Sequence, residues 1–510
     1  MKLNRKQFIA LFAAILALML ICSSCNANSS ATEQRISRVY TATDPQKYLS
    51  DENAELSRLI EENARIDVLV ELQGENVLDG YFKKGKGSLT EFAASPEAAE
   101  IADALLSEQS AFIGEIEEAG IDYRLRNRIS FVANVVSLNI PAAQFETLSS
   151  LKGTGIVAIC DVYETTATNP EDLAFTYGNN EYTMSSDMLG ITEMRENGYA
   201  YDGKGTIIAV IDSGIHTSHE AFTTIMPTQP VLTEEELEKI LPYTTAYSVI
   251  GDPSLSASDY RINDKITFCF DYADSDRNVK PSIRAVLNYA GAHGTHVAGL
   301  AAGNSETFKG TAPDAQILAL KVFGDNSGGA ASDSILAALN DAVLLGSDVI
   351  NMSLGSSAGF ATESDNEPTG KLTNEIYARV KEAGISLVVA ASNDYSSGFG
   401  GGNGTNLASN PDSGTVGSPS TYDAALSVAS INGQKSAYIQ ANGTEDQVAF
   451  ITEASDGDGN ELDFVDQLYR ITGKTKGETL NFKYVVIGSV GRTANYTQRV
   501  RREIENSDGY

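Results

Sequence analysis

Two short segments carry side chains able to move protons. The apolar run TIIAVIDSGI contains Asp212 near its end, and well downstream HGTHVAG begins with His293. A carboxylate that closes an apolar strand needs a partner, and an imidazole is a natural one. Held by Asp212 at one ring nitrogen, His293 would take a proton from a hydroxyl at the other, which is general-base catalysis of the Ser, His, Asp kind. Each residue alone has a plainer reading: Asp212 caps a turn, and His293 is a polar residue at a helix start. A metal shared by His293 and His296 is a third reading. No HExxH stands in the chain and only His216 and His219 remain as further histidines, so no metal site is assigned.

The surrounding pattern says what must hold these residues. TIIAVID, AQILALKVF, SDVINMSLG and ISLVVAAS are short, continuously apolar runs, as strands covered on both faces are. Between them DSILAALNDAVLLG and TNEIYARVKEAG have helical apolar spacing and end on glycine, as crossovers of a parallel sheet do. From about 184 to 431 the expected fold is therefore α/β, a parallel sheet with helices on both faces. Ligands of such sheets bind at the carboxyl ends of the strands, where Asp212, the trio Ser353, Leu354 and Gly355, and Asn393 all fall. Ser213 and Gly214 allow a sharp turn after Asp212. HGTHVAG opens a helix of small residues (Gly294, Ala298, Gly299, Ala301, Ala302, Gly303) that can pack closely on the sheet.

Three further regions flank this one. Residues 63–166 alternate as RIDVLVEL, a helix from SPEAAEIADALLSEQSAFIGEIEEAG with Ser95 at its cap, then ANVVSLNIP, AAQFETLSSL and GIVAICDVY, the order of a small α+β split βαβ unit of ferredoxin type. Residues 26–62 read as a polar linker, and 432–510 as a β-rich insert (SAYIQANG, QVAFIT, FKYVVIG) that starts and does not finish. Lys2, Arg5 and Lys6 precede an apolar run from Phe8 to Ile21, which makes 1–25 an export signal. Ser23 and Ser24 before Cys25 resemble a lipoprotein processing site, with Cys22 where such sites usually carry Leu. The expected location is extracellular or at the cell surface, either by plain secretion or with membrane attachment through a lipid on Cys25.

Composition limits the partners. A net charge of −31 over 510 residues argues against nucleic acid, whose phosphates need a basic face. Apart from the export segment only Cys160 and Cys269 remain, both among apolar neighbours, and both read as buried structural thiols. DYADSD at Asp271 to Asp276 and DGDGNELD at Asp456 to Asp463 invite a calcium reading. In the second, Glu461 stands where the sharp turn wants glycine, and solvated acidic loops explain both stretches. No cofactor is required, and calcium enters only as a structural ion.

VIDSGIHTSH, HGTHVAG, the SLG segment and VVAASND together resemble the signature segments of subtilisin-like serine peptidases, the subtilases, over about Met184 to Ile431. In that family the chain order is Asp, His, Ser. The resemblance implies Asp212 as orienting acid, His293 as general base and Asn393 as the amide that donates to the oxyanion, here preceded by Ser392 where the family usually has glycine. Ser353, Leu354 and Gly355 would pair with substrate backbone as an added strand. Residues 63–166 resemble the family's propeptide, which assists folding and blocks the site until cut, here between about Thr165 and Ser185. The β-rich piece sits where cell-envelope subtilases insert a protease-associated domain. No GTSxA-type segment supplies a nucleophile, so the serine is expected beyond Tyr510 and residues 1–510 are expected to be an inactive amino-terminal fragment of a secreted or surface-attached endopeptidase precursor acting on proteins or peptides. The alternative is a complete chain that binds peptides, or inhibits, without cutting.

Overall fold

The computed structural model describes residues 56–84, 87–165, 189–199, 201–281, 292–325, 329–356, 368–392, 416–429, 437–440, 447–450 and 473–475. The chain divides into two compact units, one of Ala31–Thr176 with Leu189–Ile431, the other of Met1–Ser30, Tyr177–Met188 and Asn432–Tyr510.

The larger unit holds two main sheets. The first is antiparallel, with strands β1 (Arg65–Leu72), β2 (Arg124–Ile129), β3 (Val135–Pro141) and β4 (Thr154–Ile159) in the order β2-β3-β1-β4. Between β1 and β2 runs helix α1 (Pro96–Glu118), capped by the Ser95 hydroxyl accepting from Ala98 N at 3.2 Å, with Pro96 in the first turn, where its missing N–H costs nothing. The short helix α2 (Phe145–Ser149) joins β3 to β4. This is the split βαβ arrangement that the sequence pattern implies, and β4 is followed at once by strand β5 (Val162–Thr165).

The second sheet has six parallel strands: β6 (Ile207–Asp212), β7 (Ile266–Asp271), β8 (Gln316–Lys321), β10 (Val349–Met352), β12 (Ser386–Ala390) and β13 (Leu426–Val428), ordered β13-β12-β10-β6-β8-β7. Every residue of β6, β7 and β8 is buried, which accords with the apolar runs read at β6 and β8. Helix α3 (His293–Ala302) packs against β6, and helix α5 (Pro368–Glu382) against β12. Between them in sequence, α4 (Ser332–Leu344) has all thirteen residues buried. It touches β6 and β8 as well as β1 and β2, so one helix serves both sheets, and a single apolar core runs from Phe131 and Val135 through Leu336 and Leu339 to Ile211.

The α/β expectation agrees with this architecture. Two features escaped the sequence reading. ITFCFD is the edge strand β7, a short run without the alternation that marks a strand, and residues Glu234–Ile240, Thr245–Ile250 and Ala257–Tyr260 form short helices. Cys269 is buried, Cys160 is partly buried, and neither is in a disulfide. In the smaller unit, β14 (Ala437–Gln440) and β15 (Gln447–Phe450) form an antiparallel pair with Ala437 opposite Phe450; FKYVVIG lies outside the described residues, as do 1–55 and the DGDGNELD stretch.

Candidate active site

Asp212 ends β6 and is 1% exposed; His293 opens α3. His293 Nδ1 lies 2.8 Å from Asp212 Oδ1. A carboxylate can only accept, so Nδ1 carries the proton and Nε2 is left as the basic nitrogen. The same Oδ1 accepts from Ser213 N at 2.6 Å, while Gly294 N donates to the Ser213 hydroxyl at 3.0 Å. Strand end and helix start are thus pinned to each other on both sides of the pair.

Two glycines make this approach feasible. Gly214 has φ +104°, and a side chain there would run into the Val279 carbonyl. A methyl on Gly294 would run into the Gly214 carbonyl and stand 2.9 Å from Asp212 Oδ1. Glycine is required because any Cβ would push the helix away from the carboxylate.

Burial works against the charged imidazolium of His293, but the charge of Asp212 and the hydrogen bond to it outweigh that penalty and leave the pKa above the ordinary 6.5. His296, one turn on, is pulled down by burial and by the neighbouring His293. The two histidines therefore differ in kind: one is set up to hold a proton, the other to stay neutral.

Met352 lies opposite Ile211 in the ladder between β10 and β6, so the chain leaving β10 starts beside Asp212, and from there two short strands wall a groove that a third strand fills. Ser353, at the end of β10, accepts from Asn351 Nδ2 at 3.1 Å and leads into β11 (Leu354–Gly355). The opposite wall is β9 (Ala330–Ala331), just before α4. Strand β5 lies between them, antiparallel to both: Leu354 faces Thr165, Gly355 faces Glu164, Ala331 faces Val162 and Ala330 faces Tyr163. Tyr163 is 6% exposed, its phenol hydrogen-bonded to the Ser418 side chain and placed among Tyr377 and Tyr422, which meet edge to face at 5.5 Å. A methyl at Gly329 would run into Val162, so the wall is shaped to let a strand lie flat against it.

Of the sequence candidates, Asp212 and His293 are brought together, and Ser353, Leu354 and Gly355 form a wall already paired with the chain's own β5. Asn393 and Cys25 lie outside the described residues. Ser392, just before Asn393, has φ +97°, a conformation that glycine adopts readily and serine does not. The wall at Ala330 and Ala331 was not foreseen; GGAA is too small and featureless a segment to signal pairing.

The DYADSD stretch is not a solvated loop throughout. Asp271 is 1% exposed and ion-paired with the buried Lys321, whose Nζ is also 2.7 Å from Asp325 and 3.8 Å from Asp274. Asp271, Asp274 and Asp325 are close enough together to hold a cation. The ammonium already stands among them, so the trio does not fit a calcium ion while Lys321 is there. Lys321 is the residue across from Asp212 in the β6–β8 register, and its stem packs 3.0 Å from where a Cβ on Gly214 would be.

The family model described as the subtilase family, Peptidase_S8, matches residues 203–466, just over half of the 510. The PIII-type proteinase of Lactococcus lactis subsp. cremoris (strain SK11) is 26% identical over 390 residues, covering 74% of this chain and 17% of that protein. The C5a peptidase of Streptococcus pyogenes serotype M3 (strain MGAS315) is 34% identical over 242 residues, 46% of this chain and 18% of that protein. The chain thus spans less than a fifth of the length of these curated relatives. Among solved structures, the epidermin leader peptide processing serine protease EpiP from Staphylococcus aureus aligns at 16% identity and TM-score 0.37, over 71% of this chain and 68% of that one. Fervidolysin from Fervidobacterium pennivorans aligns at 15% identity and TM-score 0.37, over 78% and 46% respectively. With an Asp and a His meeting at the strand ends in the family's order, and the family model matched across both, this chain belongs to the subtilase family of serine peptidases.

Proposed function

We propose that this chain is the amino-terminal part of an exported, surface-attached serine endopeptidase made as an inactive precursor. Asp212 fixes the tautomer and tilt of His293. His293 Nε2 removes the proton from a serine hydroxyl as it attacks a peptide carbonyl, then returns it to the leaving amine. Asn393 donates to the oxyanion. The serine is assigned to no residue between 1 and 510, so the reading requires it on further polypeptide, beyond the β-rich insert at 432–510. Attachment rests on the leader ending at Cys25.

The observation that carries the reading is β5. It lies in the groove as a peptide substrate would, backbone paired to Leu354–Gly355 on one side and Ala330–Ala331 on the other. It is the last described strand of residues 63–166, which fits a propeptide that blocks the site and is released by a cut shortly after Thr165. A peptide-binding module without catalysis would use the same groove but would have no need of the Asp212–His293 pair.

The test is peptide hydrolysis by the product of the full native coding region, with and without His293→Ala. The reading expects hydrolysis that rises with pH through the raised pKa of His293, above 6.5, and is lost in the variant. Hydrolysis that survives His293→Ala would rule the triad out, and a full-length product that binds peptides without cutting them would favour the binding module.

A further inference from the structure

At the upstream end of the groove stands a carboxylate for which triad chemistry has no use. Asp333 lies in the first turn of α4, directly after the β9 wall, and is 0% exposed. Its Oδ2 accepts from Ser137 Oγ at 2.8 Å, Arg126 Nε at 3.1 Å and Asn127 Nδ2 at 3.4 Å. Its Oδ1 accepts from Ser334 N at 2.7 Å and Ser334 Oγ at 3.3 Å. All three donors to Oδ2 belong to the 63–166 unit, and Arg126 is the cation paired with it. Removing that unit strips this carboxylate of its countercharge and of the residues that cover Oδ2, leaving an anion open to the next strand that fills the groove.

The groove leads straight to it. The β5 pairing continues upstream, with Ser332 N donating to the Asp161 carbonyl at 2.9 Å and Asp161 N to Ser332 Oγ at 3.1 Å. The next side chain upstream is Cys160, whose thiol is hydrogen-bonded by the Ser332 side chain and the Asp333 backbone. Any strand that follows the path of β5 therefore sets one side chain, that at the Cys160 position, against Asp333.

We propose that Asp333 is a specificity-determining residue, selecting substrates with Lys or Arg at the position that Cys160 occupies, five residues upstream of the one paired with Leu354. This rests on the reading that substrate replaces β5 in the groove. In the precursor Arg126 holds the same carboxylate from the side, so the unit that blocks the groove also neutralises its charge selector.

The test needs no catalysis. A protease site placed in the 166–188 stretch of the full chain allows the 63–166 unit to be cut free, and its rate of release is then measured. Arg126→Gln should speed release about tenfold or more, in line with the loss of a buried ion pair. Adding Cys160→Lys to Arg126→Gln should slow release again by about tenfold, because the new ammonium reaches Asp333 along the strand. Cys160→Met, of similar length and no charge, should not, and neither should Cys160→Lys once Asp333 is changed to Asn. Circular dichroism of each variant before cutting confirms that it is folded. Equal rescue by Met, no rescue by Lys, or no effect of Arg126→Gln would each overturn the proposal. None of these depends on the serine, so a failure here is distinct from a failure of the peptidase reading, which hydrolysis by the full-length product decides.

Discussion

The two ends of the six-stranded sheet each bury a lysine, and the surroundings of the two could hardly differ more. At the amino end, Lys265 is 0% exposed and its Nζ donates to two backbone carbonyls, Pro313 O at 2.7 Å and Ala315 O at 2.6 Å. Burial pulls its pKa down to about 8, against a weaker upward pull from Asp314. At the carboxyl end, Lys321 is buried as deeply, yet its carboxylate partners outweigh burial and raise its pKa. The amino end tolerates a lysine that can give up its charge. The carboxyl end sets its buried polar groups in compensating pairs, Lys321 with Asp271 and His293 with Asp212, whose carboxylate favours the protonated imidazole. Backbone strain follows the same division: of the three non-glycine residues with positive φ among the described residues, Ser275 and Ser392 both sit in loops that follow carboxyl ends of strands.

The comparison can be broken most severely at the Asp212–His293 pair, on the triad reading proposed above. In full-length polypeptide, His293→Ala should cut turnover by about a millionfold, the scale of the equivalent loss in subtilisin, with little change in unfolding free energy. Peptide hydrolysis and a denaturant melt check the two halves. A retained activity would mean that the charged end of the sheet is only structural.

Next in size is Lys321→Met, which leaves Asp271 buried without its cation and should cost about 3–5 kcal/mol in urea unfolding. Adding Asp271→Asn should recover much of that loss, because no uncompensated charge then remains. If the double variant were no better than the single, the ion pair would not be what Lys321 contributes.

Lys265 gives the opposite signature. Its folded pKa lies below the 10.5 of a free lysine, so the unfolded chain binds more protons between about pH 8 and 10.5 and stability should rise through that window. The single-site contribution is about 3 kcal/mol, from 1.36 kcal/mol per pKa unit. Unfolding free energies measured across the window should show the rise in the natural chain and lose that component in Lys265→Met. The smallest effect is expected from Ser392→Gly, which relieves the φ of +97° and should add about 0.5–1 kcal/mol in the same assay.

Much of the site was legible in local sequence because its parts are local. Asp212 is written at the end of an apolar run, and His293 at the head of a helix of small residues whose spacing only close packing explains. The SLG wall follows a strand in the same way. What stayed hidden joins residues far apart in the chain: Lys321 with Asp271, Asp333 with Arg126 and Ser137, and Ala330–Ala331 with Val162–Tyr163. A lysine at a strand end or an aspartate in a first helical turn looks like an ordinary exposed residue until the partner is found. The acidic DYADSD run showed the converse, since its composition suggested water while Asp271 faces a buried ammonium.

The sequence by itself determined the α/β character, most of the central strands and their crossover helices, and the placing of Asp212 at a strand end and His293 at a helix start, because periodicity and strand-end chemistry act over a few neighbouring positions. Only the tertiary structure decided the rest. It closed the 2.8 Å contact between Asp212 and His293, laid β5 into the groove and packed one buried helix against both sheets. Those outcomes depend on burial and pairing across large sequence separations, where the free energy of a charge or a strand edge is set by neighbours that no local pattern names.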